Sequence, residues 1–232
     1  MNRFQSALAE ILELISLQSE QVELMVQFGL EFLESKSSHR IEEMRRLEKK
    51  VNQREIEIET QCLGTLALFH PAASDLRMVS AILKTNGDLE RIADLALNLG
   101  ERAEALRDSD AEVPEELAEM TRYALKMVQD ADIALATRNA TLAQNVCIRD
   151  DQLDAMNREL IGQIAEVMEN DSAQVKAQLH IFSASRIIER IGDHATNIAE
   201  DVLYLVEGDI QRHRFKFPGT GTRFSTSDAH TS

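Results

Sequence analysis

One twelve-residue segment occurs twice in this sequence, and the two copies align without a gap. Residues 90–101 read ERIADLALNLGE and residues 189–200 read ERIGDHATNIAE, with identical residues at seven of the twelve positions. The identical positions include every acidic residue, which a general likeness between two Ala/Leu-rich segments does not explain. The chain is therefore predicted to consist of two copies of one structural unit.

The hydrophobic pattern predicts that each unit is a bundle of three helices. Apolar residues recur at helical spacing, while Gly and Pro are scarce and no window shows the Val/Ile/Thr alternation of a strand. Breaks are predicted near Ser38, Pro71, Pro114 and Asn139 and within residues 170–172. We predict helices over residues 3–35, 39–69, 72–107, 115–138, 140–169 and 173–207.

These helices predict an all-α fold of two tandem three-helix bundles, with long antiparallel helices in a spectrin-like arrangement. The first repeat is predicted to span residues 1–107 and the second residues 108–208. Residues 209–232 carry a net charge of +2, against −17 for residues 1–208, and they end in small polar residues. Because such a composition cannot bury enough apolar surface, we predict a flexible, basic and polar C-terminal tail.

Composition excludes several classes of protein. The net charge of −15 and the ten aromatic residues, none of them Trp, are atypical of a nucleic-acid-binding protein. The sequence contains no run of about 18 apolar residues, so no membrane span is predicted. Near the N-terminus, acidic residues interrupt the region where a signal peptide needs an apolar run. Two cysteines are too few for a disulfide framework. We therefore expect a cytoplasmic protein.

Acidic residues recur on one face of the predicted second and third helices of each unit. In the repeated segment the spacing i, i+4, i+8, i+11 places the oxygen-bearing side chains on one stripe, which continues into apolar residues as a helix–helix seam does. Two carboxylate pairs with i, i+4 spacing lie upstream and are related by an offset of 95 residues. The candidate ligands are Glu55, Glu59, Glu90, Asp94, Asn98, Glu101, Asp150, Asp154, Glu189, Asp193, Asn197 and Glu200.

Carboxylates at a helix–helix seam need a compensating charge, because they lose hydration and repel one another. One source is arginine, since Arg91 and Arg190 directly follow acids of the two stripes. The other is a cation, and ligand sets made only of oxygen suit Mg²⁺, Mn²⁺, Ca²⁺ or iron. The repetition of the pattern favours metal binding, and exposed salt bridges on ordinary bundle helices are the alternative.

Other chemically active residues give weaker signals. His194 has Leu95 as its counterpart in the first copy, so a packed or hydrogen-bonded histidine is expected rather than a ligand. Cys62 and Cys147 are expected to be buried and apolar in character. The sequence contains no Glu-x-x-His motif, no glycine-rich phosphate loop and no nucleophile–base arrangement, so no catalytic residue is predicted.

Three segments of the chain resemble the signatures of the PhoU family, bacterial proteins that accompany phosphate transport and signalling. They are Pro71–Arg77 (PAASDLR), Asp88–Ile92 (DLERI) and Glu189–Ile198 (ERIGDHATNI). The family carries a Glu/Asp-x-x-x-Asp motif in each of two three-helix repeats, and the resemblance covers residues 5–214. Ala93 replaces the expected glycine in the first copy, and Glu55 and Glu59 stand where aspartate is common, but neither change removes an oxygen ligand.

The resemblance implies a PhoU-like fold and a cytoplasmic, dimeric, non-enzymatic regulator. Such a protein couples the phosphate ABC transporter, through its ATPase subunit, to a phosphate-sensing histidine kinase and represses phosphate-starvation genes. The resemblance also implies iron or zinc clusters on the carboxylate motifs, with magnesium or manganese in other members. Two alternatives stay open: a carboxylate-metal enzyme built on a helical bundle, and a metal-free helical adaptor.

Overall fold

The structure, a computed structural model, describes residues 2–35, 40–107 and 112–208. Its helices are α1 (Arg3–Ser35), α2 (Ile41–Phe69), α3 (Ala73–Arg107), α4 (Glu115–Thr137), α5 (Ala140–Asn170) and α6 (Val175–Glu207), with one 3-10 turn at Ser172–Gln174 before α6. The described residues contain no strand, which confirms the all-α prediction. The predicted helix bounds agree with these to within two residues. The predicted break at Ser38 and residue 39, the first residue of the predicted second helix, lie outside the described residues, and residue 40 is a turn before α2.

The helix ends follow from local side-chain chemistry. The Asn2 side chain accepts a hydrogen bond from the Gln5 backbone N–H at 2.8 Å, and Asn139 accepts one from the Leu142 N–H at 3.1 Å. At the C-terminal end of α6, Gly208 adopts a φ of 79° and donates its N–H to the Tyr204 carbonyl. Glycine takes that left-handed conformation without steric cost, which explains why α6 stops there.

The six helices pack as two three-helix groups that share a long interface. Helices α1, α2 and α3 contact one another, as do α4, α5 and α6, and the two groups meet mainly through α3 against α6, with α1 against α4 beside them. Within the described ranges, α2 and α5 contact only helices of their own group. The seams α2–α3 and α5–α6 therefore lie on the outer flanks of the molecule, where they can meet solvent or a partner.

One apolar core runs through both groups. It includes fully buried side chains from successive helices, such as Phe28 of α1, Met44 of α2, Ile82 of α3 and Met120 of α4. Burial of one such side chain stabilises the fold by about 1.5–3 kcal/mol. The exact repeat boundaries stay a prediction, and the predicted tail of residues 209–232 lies outside the described residues. No helix of the described chain is long and apolar enough to cross a membrane.

Candidate functional site

Acidic side chains from α2 and α3 converge at the first outer seam, which we call the repeat-1 seam and define by Glu48, Glu55, Glu90 and Asp94. Burial raises the pKa of the Glu90 carboxyl. The negative charges of Asp94, Glu55 and Glu48 raise it further, while Arg91 opposes them. The Arg91 Nε atom lies 3.6 Å from the Glu90 Oε2 atom, and the Arg91 side chain is 64% exposed. The seam thus concentrates negative charge next to one solvent-facing cation.

The same arrangement occurs between α5 and α6, in the repeat-2 seam defined by Asp154, Glu189 and Asp193. Burial raises the pKa of Glu189, the charges of Asp193 and Asp154 add to the effect, and Arg186 lowers it. The Glu189 side chain is only 14% exposed. Its Oε2 atom is buried without a hydrogen-bond partner, which is an unfavourable state for a carboxylate oxygen unless a proton or a cation is present.

The two seams are related by an offset of 99 residues, whereas the carboxylate pairs in the sequence are related by an offset of 95 residues. The difference is about one helical turn. Glu55 is the acid of the predicted α2 pair whose charge acts on Glu90, and Asp154 is the acid of the α5 pair whose charge acts on Glu189. Glu55 and Asp154 are 99 residues apart, the same offset as Glu90 and Glu189. The offset of 95 residues would pair Glu55 with Asp150. Residues four apart share a helix face, so spacing alone does not choose between the two registers.

The other predicted ligands have different surroundings. Glu59 and Asn98 are exposed, and Glu101 forms an ion pair with Arg45 of α2 at 3.4 Å. Asp150 is buried. Its negative charge and that of Glu200 act together on the Cys147 thiol, so α5 and α6 bring these two acids into one neighbourhood.

Asn197 faces α3 rather than α5. Its Nδ2 atom donates to the Asp88 Oδ1 atom at 3.2 Å, and the same oxygen accepts a hydrogen bond from His194 Nδ1 at 2.8 Å. Eight residues along a helix rotate a side chain by about 80°, which carries Asn197 away from the face of Glu189. The prediction that His194 is hydrogen-bonded is therefore confirmed, and Asn197 belongs to the interface between the repeats.

A cleft of about 530 Å³ lies at that interface. Its charged lining is partly paired already, because Lys84 Nζ donates to Asp201 Oδ1 at 2.7 Å. The residues that line it are Lys84, Gly87, Asp88 and Arg91 of α3 and His194, Asn197, Glu200 and Asp201 of α6.

Both cysteines are buried and free, as predicted. Burial raises the pKa of Cys62 to about 12. Burial raises the pKa of Cys147 to about 12 as well, with Glu200 and Asp150 adding to the shift. Because the thiolate is the reactive form, burial keeps both thiols in the less reactive protonated form at neutral pH.

The acids of each seam fit a hard cation in chemical type, although they are not arranged around one. No three His, Cys, Asp or Glu side chains of the described ranges converge closely enough to hold a metal ion. Glu189 Oε1 accepts from Arg186 Nη1 at 3.0 Å, and Asp154 Oδ2 lies 3.9 Å from Arg158 Nη1. Arginine thus occupies carboxylate oxygens that a cation would use, while the partnerless Glu189 Oε2 atom offers one that is vacant of hydrogen bonds.

Sequence reasoning missed two residues of this region. Glu48 acts on Glu90 and lies seven residues before Glu55, two helical turns along the same face, so an i, i+7 search of α2 finds it. Asp88 bridges the repeats and lies only two residues before Glu90. Its position rotates it about 200° away from Glu90, so the stripe pattern gives no signal for it.

Comparison with known proteins matches the repeat directly. The family model of the PhoU domain matches residues 15–103 and, a second time, residues 117–202. The chain belongs to the PhoU family. The two matches fall on α1–α3 and α4–α6, and each includes one Glu-x-x-x-Asp motif, Glu90 to Asp94 and Glu189 to Asp193.

Relatives and solved structures agree with membership of the PhoU family. A Pseudomonas aeruginosa protein called phosphate-specific transport system accessory protein PhoU homolog is 37% identical over 195 residues, 83% of this chain and 80% of the relative. A Deinococcus radiodurans protein of the same name is 32% identical over 188 residues, 81% of this chain and 88% of the relative. The crystal structure of PhoU from P. aeruginosa has a TM-score of 0.87 at 33% identity, covering 89% of this chain and all of that one. PhoU from Streptococcus pneumoniae, described as a phosphate transport system regulatory protein, has a TM-score of 0.82 at 26% identity, covering 90% and 99% of the two chains.

Proposed function

We propose that this protein is a negative regulator of phosphate uptake and of the phosphate-starvation genes. The observation that carries the proposal is the double PhoU-domain match, which covers most of the three helices of one group each time. The names of its relatives, phosphate-specific transport system accessory proteins, support a role beside a phosphate transporter. We place it in the cytoplasm as a homodimer that acts by binding partners and not by catalysis.

The proposed partners are the ATPase subunit of the phosphate ABC transporter and the phosphate-sensing histidine kinase. The outer flanks formed by α2–α3 and α5–α6 support two separate contacts, because neither outer helix is covered by the other repeat in the described ranges. A protein that holds transporter and kinase together relays the transport state to the kinase, and its loss uncouples them.

Capture from phosphate-replete cells tests the partners. A tagged full-length chain, cross-linked in the cell and purified, is expected to enrich the transporter ATPase subunit and one histidine kinase. The control bait carries Ile191→Asp, which places a carboxylate at a fully buried position and removes the fold. Enrichment of neither partner, or equal enrichment by both baits, contradicts the proposal.

We further infer that each seam binds a divalent cation or an iron or zinc cluster. Glu55, Glu90 and Asp94 would hold it in repeat 1. The mutual influence of partly buried acids in each repeat and the partnerless Glu189 Oε2 atom support this inference. A bound cation would offset the repulsion among the carboxylates and link the two helices of the seam. The equivalent residues in repeat 2 are Asp154, Glu189 and Asp193.

Metal content of the purified protein tests this inference. Replacing Glu90 and Asp94 by Ala is expected to halve the bound metal, and adding Glu189→Ala and Asp193→Ala is expected to abolish it. A matched control replaces Glu159, an exposed acid of α5. Unchanged stoichiometry in the fourfold variant contradicts the inference, and wild-type protein without metal after reconstitution favours the metal-free adaptor. Turnover of phosphoesters or of oxygen by the loaded protein would favour the enzyme alternative.

A further inference from the structure

The outer face of α2 carries a stripe of exposed and mostly apolar side chains. Ile56, Thr60, Leu63 and Ala67 recur at helical spacing, on the side of the helix opposite its buried residues. Ile56 is 62% exposed and Leu63 is 52% exposed. We call these four residues the α2 stripe. Within the described ranges α2 contacts only α1 and α3, so no other helix covers the stripe.

The outer face of α5 has no such stripe. With the offset of 99 residues that relates the repeats, the four equivalent positions hold Ala155, Glu159, Gly162 and Glu166, all of them exposed. The apolar stripe therefore belongs to repeat 1 alone, and the three-helix architecture does not require it. A contiguous apolar face that is kept on one repeat only is typical of a contact surface.

The charges around the α2 stripe favour a basic occupant. Residues 55–76 contain four acidic residues and no lysine or arginine. Two of these acids, Glu57 and Glu59, are exposed on α2 beside the stripe. A second copy of the chain, laid face to face on the stripe, would bring these acids against their own copies, which is unfavourable. The stripe instead fits a segment that combines apolar side chains with cations.

The chain contains such a segment directly after α6. Residues 210–217 read IQRHRFKF, with three cations and no acid, whereas residues 1–208 carry a net charge of −17. The apolar side chains of the segment are Ile210, Phe215 and Phe217. They are too few to form a core by themselves, but they can pack on an apolar face that is already present.

The chain leaves α6 at the end of repeat 1 where α2 is connected to α3. Arg77, near the start of α3, donates from Nε to the Leu205 carbonyl at 3.4 Å, and an ideal Cβ atom at Gly208 lies 3.9 Å from Arg77 Cζ. Nine extended residues span up to about 30 Å. Crossing one helix takes about 10 Å, and the stripe is about 17 Å long. Residues 209–217 can therefore reach all of it.

We propose that residues 210–217 bind to the α2 stripe of the same chain, with their phenylalanines on its apolar side chains and their cations beside the bordering acids. Docking covers the repeat-1 flank and leaves the repeat-2 flank open, so a partner of the repeat-1 flank must displace the segment. The prediction of a flexible tail then applies to residues 218–232. This inference does not depend on metal binding.

Single tryptophans test the docking, because the sequence contains no natural Trp. Phe217→Trp places a reporter in the segment, and Phe224→Trp places a reference further along the tail. In the full-length protein, the Phe217→Trp reporter is expected to emit at shorter wavelength and to be quenched less by acrylamide than the Phe224→Trp reference. The reason is that a docked indole is partly removed from water.

Variants of the stripe test where the segment binds. Ile56→Ser combined with Leu63→Ser is expected to raise the quenching of the Phe217→Trp reporter to that of the reference. Ile148→Ser, at a 59% exposed apolar position of α5, is the matched control and is expected to change nothing. Circular dichroism checks that each variant is folded.

A change in the segment itself gives a second test that leaves α2 intact. Arg214→Glu combined with Lys216→Glu is also expected to remove the protection of the Phe217→Trp reporter, because like charges then meet at the border of the stripe. These residues lie beyond the end of α6. This arm decides the question by itself if the double variant of α2 does not fold.

A disulfide trap distinguishes docking within one chain from a contact between copies. Thr60→Cys with Pro218→Cys places one thiol on the stripe and one at the end of the segment, while both natural cysteines are buried. Oxidation is expected to link the two positions within one chain. Glu159→Cys with Pro218→Cys, at the equivalent position of α5, is the control and is expected to react about tenfold more slowly.

Three results would overturn the proposal. The first is equal quenching of the Phe217→Trp reporter and the Phe224→Trp reference. The second is protection of the reporter that the stripe variants leave unchanged, which would place the segment elsewhere. The third is a disulfide between two chains instead of within one, which would assign the stripe to a second copy.

Discussion

A methyl group at Gly192 would collide with the α5 side chain opposite it. An ideal Cβ atom there lies 2.3 Å from Leu153 Cδ2, and Leu153 is buried in the core. In repeat 1 the equivalent of Gly192 is Ala93, and the equivalent of Leu153 is Arg54, whose long side chain extends to Gln21 of α1. The glycine of the second copy is thus matched to a bulky apolar neighbour that the first copy does not have.

The first prediction compares two glycines of repeat 2. Gly192→Ala is expected to lower the free energy of unfolding by about 1–2 kcal/mol, because overpacking outweighs the gain in helix propensity. Gly162→Ala meets no atom within 4 Å and is expected to raise it by up to about 1 kcal/mol. Urea denaturation of both variants measures the difference. Equal stability of the two variants contradicts the packing argument.

The second prediction concerns two acids at the contact between α1 and α4. Burial raises the pKa of Asp132, and it accepts a hydrogen bond from Ser19 Oγ at 2.6 Å. Burial and the charge of Asp132 also raise the pKa of Glu23. A carboxyl whose pKa is raised by folding stabilises the fold below its unfolded pKa, and this contribution is lost as the pH rises through the folded value.

Asp132→Asn is therefore expected to unfold at higher urea than wild type at about pH 7, with the difference shrinking toward about pH 4. Glu10→Gln, at an exposed position of the same helix α1, serves as the control and is expected to match wild type throughout. A constant difference across the pH range, or a less stable Asp132→Asn protein at neutral pH, contradicts the assigned sign.

At the scale of helices, one carboxylate oxygen of α3 accepts two hydrogen bonds from α6 across the interface between the repeats. Asp88 Oδ1 accepts from both His194 Nδ1 and Asn197 Nδ2, and the Asp88 and His194 side chains are mostly buried. Asp88→Ala is expected to lower the free energy of unfolding by about 1–2 kcal/mol, since the mostly buried His194 and the exposed Asn197 both lose their acceptor. Thermal unfolding measures it, with Asp88→Asn, which keeps an acceptor oxygen, expected to be intermediate. If Asp88→Ala melts at the same temperature as wild type, the Asp88 hydrogen bonds do not stabilise the interface.

The helices were predictable from the sequence because their ends depend on local chemistry. Pro71 and Pro114 lie in the connections before α3 and α4, and Asn139 caps α5 by itself. The arrangement of the seams was not fully predictable, because residues one turn apart share a face. The choice between Asp150 and Asp154 as the partner of Glu189 depends on how α5 slides along α6. Asn197 was placed with the ligands for a similar reason, since a small rotation per turn decides which neighbour it meets.

At the scale of the whole molecule, two outer seams of concentrated acid flank a shared apolar core. In each seam, carboxylates that repel one another are partly buried between two helices. This arrangement lowers the stability of the fold. Such conflicts are typical of functional sites, which is why we place cation binding there and partner contacts on the same flanks. We propose that the folded pair of repeats is the species that represses phosphate-starvation genes.

A reporter of a phosphate-starvation promoter in phosphate-rich medium tests that claim most directly. Ile191 is fully buried in α6, and an unpaired carboxylate there costs several kcal/mol, a large part of the stability of a typical domain. The Ile191→Asp allele is expected to switch the reporter on as fully as a clean deletion, while Ile191→Val, costing about 1 kcal/mol, leaves it off. A reporter that stays off in both the Ile191→Asp strain and the deletion strain would contradict the proposed role as a regulator.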